Sequence, residues 1–181
     1  MTLGPEFVRG LRAALSGRLP WRIHKAEGGD SWVALKLGHD DLWLLFSWGS
    51  GTGGCCLADG GSVSVLRKGA PARTPLVEAL RSRFVKGDLT AARQINHDRI
   101  LEFEVRRRVA AGAEVRYFLV LEATEPLGNL ILLDADRRIE ELARHEAPDR
   151  NPYRTLLPGH PYVPPPALDR KSTRLNSSHG S

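Results

Sequence analysis

Two adjacent residues, Asp98 and Arg99, carry the side chains of this sequence that are best suited to contacting a partner molecule. They lie in residues 96–99, where the alternating apolar residues on either side predict a hairpin turn, and turns expose their side chains. Aspartate has a structural reason to occupy a turn, because its carboxylate accepts a hydrogen bond from the backbone two residues on. Arg99 has no such local requirement. The pattern leaves two alternatives open, a contact site or ordinary turn chemistry.

Other arginines form two basic groups whose guanidinium N–H donors match the oxygens of a phosphate. Arg81 and Arg83 fall in a predicted helix, and Arg106 and Arg107 belong to a run of three arginines at the end of a predicted strand. Charged helix faces and charged strand ends are also common on surfaces that bind nothing. Phosphate contacts and plain solubility are therefore alternatives for both groups.

The sequence gives little support to enzyme chemistry. The glycine-rich residues 49–54 lack the following lysine of a P-loop and open no helix. The six histidines are scattered, and no Cys/His spacing typical of zinc or acidic loop typical of calcium is present. The carboxylate pairs Glu102/Glu104 and Asp134/Asp136 are spaced two apart, which is typical of the wet face of a sheet. We expect no catalytic residue, no metal and no cofactor.

The composition is that of one globular domain, with 181 residues of which 41% are hydrophobic. The formal net charge of +5 permits contact with nucleic acid without requiring it. No apolar run approaches the roughly 20 residues of a membrane helix, and charged residues interrupt residues 1–15 where a secretion signal would be apolar. Cys55 and Cys56 are adjacent and poorly placed for a disulfide. These features predict a reduced, cytoplasmic protein with no membrane partner.

The first half of the chain is predicted to combine one helix with short strands. Apolar residues at helical spacing predict a helix over residues 5–15. Alternating or continuous apolar residues predict strands near residues 21–24, 32–37 and 42–46. Residues 47–61 are rich in glycine and are predicted to be loop alone.

The second half is predicted to be one helix followed by an antiparallel sheet. Thr74 and Pro75 are typical of a helix N-cap and first helical position. Five strands joined by tight turns are predicted between residues 89 and 143, a spacing that excludes alternating strands and helices. The predicted fold is α+β: an antiparallel β-sandwich or meander with two flanking helices.

Residues 153–166 contain five prolines and one glycine, which no helix or central strand accommodates. Composition alone favours a stiff, extended linker that leaves a folded unit. The string R-T-L-L-P-G-x-P-Y-x-x-P-P, however, resembles the segment that closes the first subdomain of NFACT-family proteins. These are the RqcH-type ribosome quality-control factors, also described as fibronectin-binding protein A-like.

Three more strings carry the same resemblance. Residues 98–103 are similar to the family's D-R-I-I-x-F, residues 129–134 to its N-I-I-L-x-D, and residues 76–84 loosely to its L-L-R-K-H-L. The resemblance implies a fold similar to the N-terminal β-sandwich of formamidopyrimidine DNA glycosylases.

The resemblance also implies a non-enzymatic function, as the N-terminal module of a bacterial factor that binds stalled large ribosomal subunits, with their rRNA, and tRNA during carboxy-terminal tail addition. Asp98 and Arg99 match the Asp-Arg pair that the family uses to engage tRNA, where the guanidinium would fork onto a phosphate or a base edge. Arg81 and Arg83 match the family's basic pair in part. Together with Arg106 and Arg107 they are the candidate RNA-phosphate contacts.

Two other functions are alternatives to this one. A surface adhesin that binds fibronectin is the older description of the family, and no secretion signal supports it here. A DNA glycosylase of the related fold attacks with a free N-terminal proline amine beside a glutamate. Pro5 and Glu6 imitate that pair, but the nitrogen of Pro5 is an amide without nucleophilic character.

Two positions depart from the family pattern. Gly4 stands where an aspartate is usual before the first helix, and residues 124–129 replace the family's G-R-H-S-N. The departures indicate a divergent branch, for which retention and loss of tail synthesis both stay open.

We expect an NFACT N-terminal subdomain over residues 1–157 and a proline-rich exit linker over residues 158–168. Residues 169–181 resemble translated sequencing-adapter read-through and lack the apolar residues needed to pack, so they are expected to be a disordered artefact. The chain is then a fragment of a protein that continues beyond Leu168.

Overall fold

The computed structural model describes residues 5–17, 19–49, 53–69, 73–96, 99–124, 128–146, 149 and 151–166. Gly4, Asp98, residues 125–127 and the tail from residue 169 lie outside the described residues. Within them the chain forms three α-helices, one short 3₁₀ helix (Ala110–Gly112) and nine strands. The helices are α1 (Pro5–Ser16), α2 (Gly60–Arg67) and α3 (Pro75–Arg83). The strands are β1 (Trp21–Gly28), β2 (Trp32–Leu37), β3 (Leu42–Ser47), β4 (Gly54–Ala58), β5 (Asp88–Gln94), β6 (Ile100–Arg108), β7 (Glu114–Glu122), β8 (Asn129–Leu133) and β9 (Ile139–Leu142).

The strands form one antiparallel sheet in the order β4-β3-β2-β1-β5-β6-β7-β8-β9. Its narrowest junction is β1–β5, where only two register pairs, Trp21–Leu89 and Arg22–Asp88, join the two halves of the sheet. The halves face each other across a shared core, since the rings of Phe46 in β3 and Phe103 in β6 meet edge to face with centroids 5.2 Å apart. The predicted α+β fold with an antiparallel sheet is confirmed.

The helices that the sequence predicted, α1 and α3, both contribute to this core. Leu11 and Leu15 of α1 are buried, as are Leu76, Val77 and Leu80 of α3. The hydroxyl of Thr74 accepts a hydrogen bond from the backbone N–H of Val77 at 3.2 Å, which caps α3 at its predicted start.

The prediction that residues 47–61 are loop alone is wrong. Residues 54–58 form the edge strand β4, which pairs with β3, and Asp59 caps α2 by accepting a hydrogen bond from the backbone N–H of Ser62 at 2.8 Å. Helix α2 covers the outer face of β2 and β3, where Val63 packs with Trp32 and Trp43. The glycines concealed this strand because its partner β3, rather than its own propensity, determines its pairing. The described residues consequently contain three α-helices instead of the predicted two.

The proline-rich segment packs on the sheet. Leu156 and Tyr162 are buried in a second apolar cluster on the outer face of β7–β9. The backbone N–H of Ile139 donates to the carbonyl of His160 at 2.9 Å, and that of Tyr162 donates to the carbonyl of Arg137 at 3.0 Å. The first residues of the expected exit linker are thus attached to the sheet, while a domain boundary after residue 157 stays a prediction.

Candidate functional site

Arg99 lies where the sequence predicted it, at a bend between two antiparallel strands. The side chain of Arg99 is exposed, and its carbonyl accepts a hydrogen bond from the backbone N–H of Ala123 at 2.9 Å. The turn is closed by the N–H of Ile95, which donates to the carbonyl of Ile100 at 3.0 Å. This backbone frame presents Arg99 at one end of the sheet. The role of Arg99 in binding stays a prediction.

Arg81 and Arg83 are half-exposed on α3, and each has a partner within the domain. Nε of Arg81 donates to the carbonyl of Ala26 at 3.0 Å. Nε of Arg83 donates to Glu140 at 3.0 Å, and the hydrogen bond and negative charge of Glu140 raise the pKa of Arg83. Both guanidinium groups are therefore held against the strands that α3 covers.

Arg106 and Arg107 point to opposite sides of β6. Arg107 donates to the carbonyl of Ser82 and so lies beside the α3 arginines, whereas Arg106 contacts Glu104 and Glu114. Arg106 also lies seven residues after Arg99, about 23 Å along an extended strand. The structure does not bring the sequence-predicted residues into one site.

The prediction that Glu102 and Glu104 form a wet sheet face is wrong, because both are buried. A third buried glutamate, Glu122 of β7, lies on the same outer face. Arginines cover all three carboxylates. Glu102 contacts Arg137; Glu104 contacts Arg93, Arg106 and Arg116; Glu122 contacts Arg154. Strand alternation places the glutamates and Arg106 on this face, but no local sequence signal marks Arg93, Arg116, Arg137 and Arg154 as the other arginines that cover them.

Glu122 lies at the centre of a buried polar group. Two nitrogens of Arg154 donate to its carboxylate at 2.5 and 2.7 Å, and the hydroxyl of Tyr162 donates to it at 2.7 Å. Burial, followed by the negative charge of Glu122, raises the pKa of Tyr162. Arg154 and Tyr162 both belong to the proline-rich residues 153–166, the C-terminal segment. Their hydrogen bonds to Glu122 therefore attach the C-terminal segment to β7.

An open cleft of about 830 Å³ lies at the β1–β5 junction. His24 occupies an irregularity in the β1–β2 register, and its ring lies 5.9 Å from that of His39 in the β2–β3 turn. Across the residues that the structure describes, no group of three or more His, Cys, Asp or Glu side chains is arranged to hold a metal ion. In the same part of the chain, no helix has the length and apolar character needed to span a membrane.

Two solved structures that share this fold are N-terminal regions of streptococcal proteins. That of the fibronectin/fibrinogen-binding protein of Streptococcus suis superposes with a TM-score of 0.77 at 26% identity, covering 92% of this chain and 62% of that chain. The N-terminal domain of the fibronectin-binding protein PavA of Streptococcus pneumoniae gives a TM-score of 0.76 at 21% identity, covering 99% and 74%.

Curated relatives include two proteins named Rqc2 homolog RqcH. The protein of Streptococcus suis is 39% identical over 75 residues, which are 41% of this chain and 14% of the relative. The protein of Bacillus subtilis is 34% identical over 104 residues, which are 56% of this chain and 18% of the relative. The matched part is thus less than a fifth of each relative.

The family model for the NFACT N-terminal and middle domains matches residues 7–179. The match extends into residues 169–179, and their expected origin as adapter read-through stays a prediction. With the fold, the relatives and nearly the whole sequence in agreement, the chain belongs to the NFACT family.

Proposed function

We propose that this domain is the RNA-binding N-terminal module of a ribosome quality-control factor. The observation that carries the proposal is the match to the NFACT N-terminal and middle domains over residues 7–179, beside relatives named Rqc2 homolog RqcH. The complete protein would bind stalled large ribosomal subunits and tRNA in the cytoplasm, and its N-terminal module would act by binding rather than by catalysis.

Arg99 and Asp98 are the proposed tRNA contact. An exposed arginine at a turn can present its forked donors to a phosphate or a base edge without disturbing the sheet behind it. Arg81, Arg83, Arg106 and Arg107 would add further phosphate contacts, and each of them is also held by a partner within the domain.

The test is the substitution Arg99→Ala in the complete protein, with tRNA affinity measured over a range of salt concentrations. We expect weaker binding and a salt dependence shallower by roughly one unit, since one phosphate contact is lost. The melting temperature should stay nearly unchanged, because an exposed turn residue packs little. Arg108→Ala is the matched control: the same charge is removed from an exposed position at the opposite end of β6.

Two results would overturn the assignment. One is equal weakening by Arg99→Ala and Arg108→Ala, which would indicate a general charge effect. The other is a large drop in the melting temperature of Arg99→Ala, which would make Arg99 a structural residue.

Binding of fibronectin or fibrinogen is a second candidate, favoured by the names of the proteins with this fold. Immobilised fibronectin, tRNA and DNA with an abasic site can be compared with the same preparation. Saturable binding of fibronectin with no binding of tRNA would replace the proposal, and cleavage of the DNA would revive the glycosylase hypothesis.

A further inference from the structure

One buried carboxylate orients three arginines on the outer face of β5–β7. Nη2 of Arg93 lies 3.2 Å from Oε2 of Glu104, while Nη1 of Arg116 and Nε of Arg106 lie 3.5 and 3.6 Å from its Oε1. The side chain of Glu104 is only 6% exposed, and those of the arginines are 44–53% exposed. The carboxylate of Glu104 thus lies below the protein surface, and the three guanidinium groups lie at the surface.

The charges of this cluster are not balanced. Within the part of the chain that the structure describes, these three arginines form ion pairs with two carboxylates, the buried Glu104 and the exposed Glu114, which lies 3.3 Å from Arg106. Arg106 and Arg116 are direct cross-strand neighbours in the β6–β7 register. Like charges in directly opposed positions repel each other, and Glu104 offsets this repulsion in part because its single charge is shared among three arginines. A bound anion would reduce the remaining repulsion.

The guanidinium groups keep donors for a ligand. Each arginine has five N–H donors in a planar fork, and Glu104 engages only one nitrogen of each. Because Arg106 and Arg116 share one oxygen of Glu104, the nitrogens that contact it are at most about 7 Å apart. Two or three guanidinium groups can therefore act on one short stretch of a polyanion.

The rest of the outer face is occupied differently. On β7–β9 it is covered by the C-terminal segment, which buries Leu156 and Tyr162 there. Phe118, opposite Glu104 in the register, marks the border between the two regions, and the guanidinium of Arg137 stacks over its ring at 4.7 Å. The arginine cluster is thus an exposed area of the sheet beside an area that the C-terminal segment covers.

We propose that Arg93, Arg106 and Arg116, held by Glu104, bind successive phosphates of an RNA strand. The inference rests on the proposed function and extends it to a second contact area, centred five residues along β6 from Arg99, about 16 Å away. Forked, charge-assisted hydrogen bonds to phosphate oxygens are the interaction that such preoriented guanidinium groups favour. Arg93 and Arg116 belong to no basic run in the sequence and become candidates only through their shared contact with Glu104.

The experiment measures the affinity of the complete protein for bulk tRNA at increasing salt concentrations. Arg93→Ala/Arg116→Ala should weaken binding by about tenfold or more and lower the salt slope by about two, because two phosphate contacts are lost. Arg22→Ala/Arg67→Ala is the matched control. Arg22 on β1 and Arg67 on α2 are half-exposed, and each pairs with one carboxylate, that of Asp88 and that of Glu27 respectively. The control should change the affinity less than about twofold. Arg93→Lys/Arg116→Lys should fall between, because lysine keeps the charge and loses the fork.

The outcomes separate this inference from the proposed function. If the wild-type protein binds no RNA, both fail. If Arg99→Ala weakens tRNA binding but Arg93→Ala/Arg116→Ala matches the control, the arginine surface alone is refuted. If the double variant melts at a lower temperature, arginine-specific chemical modification of the wild-type protein provides a second test. Protection of Arg93 and Arg116 by tRNA supports the proposed RNA contact. Equal modification with and without tRNA refutes it.

Discussion

Tyr162 shows how the fold changes the chemistry of one residue. Its hydroxyl donates to Glu122, in a region that also excludes water. Ionisation would place a phenolate beside a carboxylate, and burial and this repulsion together raise the pKa of Tyr162. A tyrosine in the unfolded chain titrates near pH 10, so the folded and unfolded states bind different numbers of protons above that pH.

This difference predicts alkaline destabilisation that depends on Tyr162. The pKa of Tyr162 is higher in the folded state than in the unfolded state. The contribution of its protonated hydroxyl to the free energy of unfolding is therefore complete below about pH 10, and it is lost as the pH rises, at about 1.4 kcal/mol per pH unit. Tyr162→Phe lacks the titrating group, so the free energies of unfolding of variant and wild type should converge between about pH 10 and 11. Denaturant titrations across this range measure it, with Tyr153→Phe at an exposed position as control. Parallel curves for wild type and Tyr162→Phe would contradict the assignment.

At the scale of elements, the C-terminal segment is a structural part of the sheet although it contains no strand of its own. It closes the outer face of β7–β9 with the side chains of Leu156 and Tyr162, and the hydroxyl of Tyr162 meets the guanidinium of Arg154 at Glu122. Gly159 has a φ of 88°, and its N–H donates to the carbonyl of Ile139 at 2.7 Å, so the glycine permits the turn that returns Tyr162 to the sheet. Prolines stiffen the segment without requiring ladder donors.

Removal of Arg154 should loosen this element. Arg154→Ala leaves Glu122 buried without its cation, and we expect the free energy of unfolding to fall by about 3 kcal/mol. Hydrogen exchange should accelerate first at two amides that join the segment to the sheet. The amide of Ile139 donates to a carbonyl of the segment, and the amide of Tyr162 in the segment donates to the carbonyl of Arg137. Arg138→Ala is the control, because Arg138 is exposed and makes a single 3.1 Å hydrogen bond to the carbonyl of Gly159. Equal losses in the two variants would show that the buried charge pair is unimportant.

At the scale of the whole molecule, the two halves of the sheet depend on each other. Two register pairs at the β1–β5 junction would not hold them face to face. The shared core does so, with Phe46 from one half against Phe103 from the other. One core with contributions from both halves should make unfolding a single cooperative event.

A double-mutant cycle can measure the coupling between the halves. Phe46→Leu and Phe103→Leu should show an interaction free energy of about 0.5–1.5 kcal/mol, the range for an edge-to-face aromatic pair. Phe118 lies in the separate outer cluster, so Phe46→Leu and Phe118→Leu should be additive. Additivity in the first pair, or two separate unfolding transitions, would show that the halves fold independently.

The sequence by itself determined the elements whose signals are local. Helices α1 and α3 follow from apolar spacing and, for α3, from the Thr74-Pro75 start; the meander follows from alternation and turn residues. The exposed turn position of Arg99 follows in the same way. The strings around residues 98–103 and 153–166 were enough to indicate the family that the comparisons establish.

Only the tertiary structure decided the features that depend on contacts distant in sequence. Strand β4 exists because β3 offers an edge, and Glu104 is buried because arginines of three strands converge on it. Arg81 and Arg106, alike in sequence as members of basic groups, lie against different parts of the fold. Periodicity specifies which face of an element a side chain occupies, but burial, ion pairing and the shape of a binding surface depend on what the rest of the chain places over that face.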